Sequence, residues 1–156
     1  AIASNQWRLL DSEILADFES SNLVKELVDS VTDTEILGPN GIRTLGKSNP
    51  RYRPGGYHTG SSWPMDAALI VRGLLRRGAS AEANAVATKT IRAIEKVGAY
   101  PEFFRSDESE KLGISRFVID VRDAQLTNSN RICQPPQMLQ GWTIAAFNWF
   151  KQEKIQ

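Results

Sequence analysis

Residues 62–98 read SWPMDAALIVRGLLRRGASAEANAVATKTIRAIEKVG, and punctuation and spacing divide them into two helices. The first starts near Ser62, carries Pro64 in its first turn, where a missing N–H costs nothing, and stops at Gly78. Leu69, Ile70, Gly73, Leu74 and Arg77 fall on its broad inner side. The second starts at Ser80, has Glu82 in the electropositive first turn and stops at Gly98. Ala83, Val86, Ala87, Ile91 and Ile94 form its apolar stripe. Only Gly78-Ala79-Ser80 separates the two, so residues 64–77 and 81–97 are predicted to form an antiparallel helical hairpin.

The chain on either side reads in the same terms. Leu9, Leu10, Ile14, Leu15 and Phe18 recur at helical spacing. After the capping residues Ser21 and Asn22, so do Leu23, Val24, Leu27, Val28 and Val31. Residues 9–31 are therefore expected to be helical. Residues 38–61 hold six glycines and three prolines, with turn signals at Gly38-Pro39-Asn40-Gly41 and Pro54-Gly55-Gly56. A loop of that length inside a compact domain is often functional. Residues 99–136 are irregular again. Arg116 to Val121 alternates loosely like a short strand, and Thr127-Asn128-Ser129-Asn130 reads as a turn. A last helix is expected to open after Pro135-Pro136, run to about Lys154 and pack against the hairpin. Met138, Leu139, Trp142, Ala145, Ala146, Trp149 and Phe150 make it apolar over much of its girth, and it should be mostly buried.

Composition narrows the function. The 156 residues suit one domain, and 41% hydrophobic with 24% charged residues is a globular balance. A net charge of +1 offers no electrostatic case for nucleic acid or an anionic membrane. One cysteine, Cys133, and one histidine, His58, exclude an intrachain disulfide and the common structural zinc cages, although carboxylate-based metal sites stay open. No apolar stretch approaches the ~18–20 residues needed to span a bilayer. No signal peptide opens the chain and no Asn-x-Ser/Thr sequon occurs, which together point to an intracellular, cytoplasmic protein.

Three segments could carry chemistry. Tyr57-His58-Thr59-Gly60-Ser61-Ser62-Trp63-Pro64-Met65-Asp66 joins aromatics, an imidazole, hydroxyls and a carboxylate in a loop that enters a helix. Sugars are bound by such sets, with an aromatic face against the C–H side of the ring and polar groups on the hydroxyls. The same residues also read as a plain capped helix start, with Asp66 complementing the dipole. In Tyr100-Pro101-Glu102-Phe103-Phe104, Glu102 is a lone carboxylate among apolar residues, either a general base or a solvated loop glutamate. Cys133-Gln134-Pro135-Pro136-Gln137 is either an amide-lined site for a polar ligand or simply the beginning of a helix, with Cys133 an inert thiol.

Taken in order, the segments resemble the C-terminal glucosidase region of glycogen debranching enzymes, the amylo-α-1,6-glucosidases. The residues that carry the resemblance are Gly41-Ile42-Arg43-Thr44-Leu45, Asn49-Pro50-Arg51-Tyr52-Arg53-Pro54 and the Tyr57–Asp66 loop. The helix pair, Pro101-Glu102-Phe103 and Cys133–Gln137 follow in the family's order, so that the resemblance spans about residues 20–152. Two departures are Met65, where the family often has tryptophan, and a longer connection over 105–132.

The resemblance implies an all-α fold, part of an (α/α)6 toroid of six-hairpin glycosidase type; the longer connection, a departure from the family, is expected to hold a short β-hairpin in 113–132. It implies inverting hydrolysis of α-glucosidic bonds in an α-glucan or oligosaccharide, with no metal or organic cofactor. By position Glu102 would be the general base. Tyr57, His58, Trp63, Asp66 and Gln137 would contact substrate. The general acid would be an aspartate upstream of the first block. Twelve helices do not fit in this length, so residues 1–156 are expected to be a single C-terminal fragment. Such a fragment would be inactive alone and would meet the rest of the toroid or self-associate. The alternatives are a non-catalytic carbohydrate-binding module of the same fold and a helical interaction module.

Overall fold

The computed structural model describes residues 2–18, 21–107, 119–121, 132–134, 137 and 139–153. Its helices are α1 (Asn5–Arg8), α2 (Asn22–Ser30), α3 (Pro64–Arg76), α4 (Ser80–Val97) and α5 (Gly141–Gln152). Four short strands pair antiparallel as β1 (Leu37–Gly38) with β2 (Gly41–Ile42), and β3 (Ile119–Val121) with β4 (Ile132–Gln134). The fold is all-α with short antiparallel strand pairs.

The helical hairpin is as the spacing predicts. α3 begins on Pro64, α4 ends against Gly98, and the two pack on each other along their apolar stripes. Ile70, Val71, Leu74, Ala83, Val86 and Ala87 are fully buried between them, and α5 closes the layer by inserting Phe150 and Ala146. Gly73 in mid-α3 has a packing reason. A Cβ there would lie 2.5 Å from the Leu10 carbonyl carbon and 2.6 Å from the Asp11 nitrogen, so the missing side chain lets the N-terminal segment lie directly on the helix.

Three expectations need correction. Residues 9–31 are not one helical run: α1 passes into 3-10 turns at Leu9–Asp11 and Glu13–Phe18 before α2 begins. Ser12 is extended and its hydroxyl donates to the Leu9 carbonyl, which breaks the helix there. Leu10, Leu15, Val24 and Val31 reach the core, whereas Ile14, Phe18 and Leu23 are exposed. Ser21 is the N-cap of α2, as expected, accepting from the Val24 N–H at 3.4 Å.

The last helix opens at Gly141 rather than at the double proline. Gln137 and Leu139–Gln140 run alongside residues 100–102, with the Glu102 N–H donating to the Gln137 carbonyl at 2.8 Å and the Gln140 N–H to the Tyr100 carbonyl at 2.9 Å. A backbone paired with another segment cannot also form helical i→i−4 bonds. The helix is also less buried than its composition suggests. Thr143, Ala146 and Phe150 face inward, Trp142 is 39% exposed, and Leu139 ahead of it is 74% exposed.

The short strand expected in 116–121 is β3, and its partner takes in Cys133 and Gln134, two residues beyond the expected 113–132 span. The Thr127–Asn130 turn, Pro135-Pro136, Met138 and Lys154 lie outside the described residues. The glycine-rich loop is partly ordered into strands: Gly38-Pro39-Asn40-Gly41 turns β1 into β2, and the Asn40 side chain donates to the Arg105 carbonyl at 2.8 Å.

Candidate active site

The site grows from a ladder of single rungs between segments far apart in sequence. Arg43 pairs with Ser62 and Ser62 with Phe104, the latter through N–H···O bonds of 2.9 and 2.8 Å. These rungs set the Tyr57–Trp63 loop beside the Pro101–Phe104 turn. The turn is held from its other side by the Gln137–Gln140 pairing and by the Thr143 hydroxyl, which donates to the Pro101 carbonyl at 2.8 Å. Thr143 is fully buried, and sequence reading missed it because a threonine within an apolar helix carries no distinguishing signal.

Four rings meet at this junction. The Trp63 ring lies 4.8 Å from Tyr57 in an edge-on contact and 5.3 Å from Phe103, and His58 stacks on it at 5.6 Å with an interplanar angle of 15°. Trp63 is 7% exposed and Phe103 3%, whereas His58 is exposed. The face turned to solvent is thus the His58 imidazole, with the indole behind it. The Trp63 N–H is occupied as well, donating to the Tyr57 carbonyl at 3.0 Å and to Ser61 Oγ at 2.9 Å. Gly60 makes the loop possible, because a Cβ there would sit 2.3 Å from the Arg53 carbonyl oxygen.

Glu102 is partly buried beside this cluster, and the Tyr57 hydroxyl donates to its Oε1 at 2.7 Å. Burial, and then the hydrogen bond and charge of Glu102, push the Tyr57 hydroxyl from its usual value of 10.0 up to about 12. Tyr57 therefore stays a proton donor throughout the neutral range. Among the described residues no group bonds Glu102 Oε2. One carboxylate oxygen is held and the other is available, which is an arrangement that can accept a proton from a water molecule.

The structure thus brings together Tyr57, His58, Trp63 and Glu102. Gln137 joins them through its backbone bond to Glu102, and its side-chain oxygen accepts from the Gln140 amide. The Gln140 N–H bonds the same turn at Tyr100, and the exposed Trp142 follows two residues later. A Gln-Gly-Trp sequence at the start of a helix was the signal that could have drawn notice to them.

Asp66 has other partners. It is 2% exposed, its Oδ2 accepts from the Ser4 hydroxyl at 2.7 Å, and its Oδ1 is ion-paired with Arg8. Both oxygens are taken by the N-terminal segment, so the structure does not offer Asp66 as a sugar ligand. Among the described residues no cluster of three or more His, Cys, Asp or Glu side chains could hold a metal ion, and no helix is long and apolar enough to cross a membrane.

A helical hairpin beneath a carboxylate flanked by aromatic rings is an arrangement suited to sugar chemistry, and comparison with known families agrees. The family described as Mannosylglycerate hydrolase MGH1-like glycoside hydrolase domain matches residues 14–118, about two thirds of the chain, including the Tyr57–Asp66 loop and Glu102. The chain belongs to this family and is a glycoside hydrolase domain of six-hairpin type. The match does not single out the glycogen debranching enzymes. No curated protein matches the chain.

Proposed function

We propose that this chain supplies the general-base half of an inverting glycosidase site acting on α-linked sugars, with Glu102 as the base. The observation that carries the reading is the Tyr57–Glu102 hydrogen bond at the edge of the ring cluster, which leaves one carboxylate oxygen for water. Glu102 takes a proton from that water as the water oxygen bonds to the anomeric carbon. The glycosidic C–O bond breaks on the opposite face, and a carboxylic acid protonates the leaving oxygen. An inverting pair needs its two carboxyl groups ~6.5–9.5 Å apart, with room for the water between them. That acid is taken to come from sequence outside these 156 residues. His58, backed by the Trp63 ring, and Gln137 hold the sugar, and Tyr57 holds the base.

Two considerations bear on the substrate. The motif order favours an α-1,6-linked glucose on an oligosaccharide or α-glucan. The family match favours a second reading, the mannosylglycerate of the family's name.

The test is to assay the full-length protein carrying this sequence on both substrates and to follow the anomer released. Hydrolysis with inversion of one of them is expected. Glu102→Gln should lower kcat about 10²–10⁴-fold, the usual worth of general-base help, with substrate affinity retained. Azide needs no deprotonation and should restore part of the rate. Full activity in Glu102→Gln would remove Glu102 from the mechanism, and retention of configuration would remove the inverting scheme.

A further inference from the structure

We propose that Ser4, Arg8 and Asp66 form a latch that positions the His58–Trp63 face of the site, making Asp66 a positioning residue and the N-terminal segment a working part of the sugar-binding loop. The geometry is that of a grip on both sides of Trp63. On one side, the Ser4 hydroxyl and the Arg8 guanidinium hold the Asp66 carboxylate in the first turn of α3, three residues after Trp63. On the other, the Ser4 N–H donates to the Thr44 carbonyl at 3.3 Å, and Thr44 passes the hold to the loop. Its N–H donates to the Ser61 carbonyl at 2.9 Å, and its hydroxyl accepts from the Gly60 N–H at 2.9 Å. Ser4 is therefore common to both grips, through its backbone and its side chain.

Buried charge gives the latch its force. A carboxylate that is 2% exposed is costly unless paired, so losing Arg8 leaves it uncompensated, whereas Arg8, 40% exposed, can turn to water. A carboxylate placed only to favour the helix dipole would do so from solvent, without a partner from the far end of the chain. The strap that carries Ser4 and Arg8 is itself fixed. Trp7 is 1% exposed and its indole N–H donates to the Leu27 carbonyl at 2.8 Å. Asp11 is clasped by Arg72 and Arg76 farther along α3. The first turn of α3, and with it the backbone that orients Trp63, is thus held against a rigid neighbour. The His58 ring rests on the Trp63 ring, so it reports any slackening.

These 156 residues hold one histidine, and in the full-length protein its ring signals are assigned by their loss in His58→Gln. The His58 ring resonances are recorded by NMR in the wild type, Arg8→Gln, Arg8→Lys and Asp66→Asn, with a thermal melt for each. The wild-type ring protons should be shifted upfield by the Trp63 ring current. That shift should collapse toward the free-imidazole position in Arg8→Gln and Asp66→Asn, and Arg8→Lys should retain part of it. The activity arm rests on the proposed sugar site: KM should rise about tenfold in Arg8→Gln with kcat nearly unchanged, the signature of lost binding rather than lost chemistry. If Asp66→Asn does not fold, Arg8→Gln still decides, because Ser4 continues to donate to the Asp66 carboxylate, a glutamine amide can donate beside it, and the 40%-exposed Arg8 side chain leaves no core cavity. A His58 signal unmoved in folded Arg8→Gln, with only the melt lowered, would overturn the latch. Failure of the full-length wild type to hydrolyse either substrate would overturn the functional reading instead, and the NMR arm would still decide the latch.

Discussion

The α3–α4 hairpin and the ladder that carries Glu102 both bury their backbone, but they satisfy it differently. In the hairpin every rung is local, an N–H bonded to a carbonyl four residues back, and the side chains need only the right period to meet their neighbours. In the ladder each rung joins distant segments: Ala3 to Leu45, Arg43 to Ser62, Ser62 to Phe104, and Tyr100 to Leu139. A single rung stabilises little, and the ladder stands because α3, α4 and α5 form a floor beneath it. The scaffold is regular and cooperative, and the site is irregular and borrowed from many parts of the chain, as binding loops on rigid scaffolds commonly are.

If that division is right, the two regions fail differently. Leu74 is fully buried in the α3–α4–α5 layer, so Leu74→Ala should cost ~2–5 kcal/mol by loss of transfer energy and by the cavity left behind. Urea unfolding should show the whole midpoint move, with the His58 ring signal in the remaining folded fraction unchanged. A Leu74→Ala protein that kept its midpoint but lost the His58–Trp63 stack would break the comparison, because it would put the site's geometry in the scaffold's core.

The same division explains what could be read from the sequence. The hairpin was legible because Pro64, Gly78, Ser80 and Gly98 punctuate it and the apolar stripes between them have one period. Tyr57, His58, Trp63 and Glu102 were legible as candidates because aromatic and acidic side chains in glycine- and proline-rich surroundings have few structural reasons to be there. The rungs were not legible, since a single backbone pairing between residue 62 and residue 104 leaves no periodic trace. Asp66 shows the limit most plainly. Its position fits a helix-capping acid and a sugar ligand equally well, and only the arrival of Ser4 and Arg8 in space gives it a different task. The last helix was drawn too long for a similar reason. Gln137–Gln140 has helical composition, and the competing partner at Tyr100–Glu102 is far away in sequence.

A smaller effect sharpens the comparison within the site. The Tyr57 hydroxyl is raised to about 12 first by burial and then by Glu102. Its neutral form is favoured in the folded protein, so the stability it contributes is full below pH 10, the usual tyrosine value, and is lost as pH rises toward about 12. Tyr57→Phe should remove the late component from the tyrosinate absorbance titration. Glu102→Gln should move that component to lower pH without returning it to 10, because burial remains. A titration of Tyr57 unaffected by Glu102→Gln would mean that the two side chains are not bonded in solution.

The smallest effect tests the strap at its far end. Asp11 is held below the usual carboxylate value of 3.8, chiefly by its hydrogen bond to Arg72, with the charges of Arg72, Arg76 and Arg77 adding to it and burial opposing. Its stabilising effect is therefore present above pH 3.8 and lost as pH falls through the lower value of the folded protein. Arg72 is 52% exposed, so water screens the pair and its worth is at most ~1 kcal/mol. Arg72→Met should lower stability by that amount near neutral pH. The deficit should vanish in acid, once Asp11 is protonated in both proteins. Added salt should shrink it as well, whereas the Arg8–Asp66 pair, buried on the Asp66 side, should resist salt. Equal salt sensitivity at both ends would make the strap a uniform surface contact and erase the distinction between the end that steadies the scaffold and the end that steadies the site.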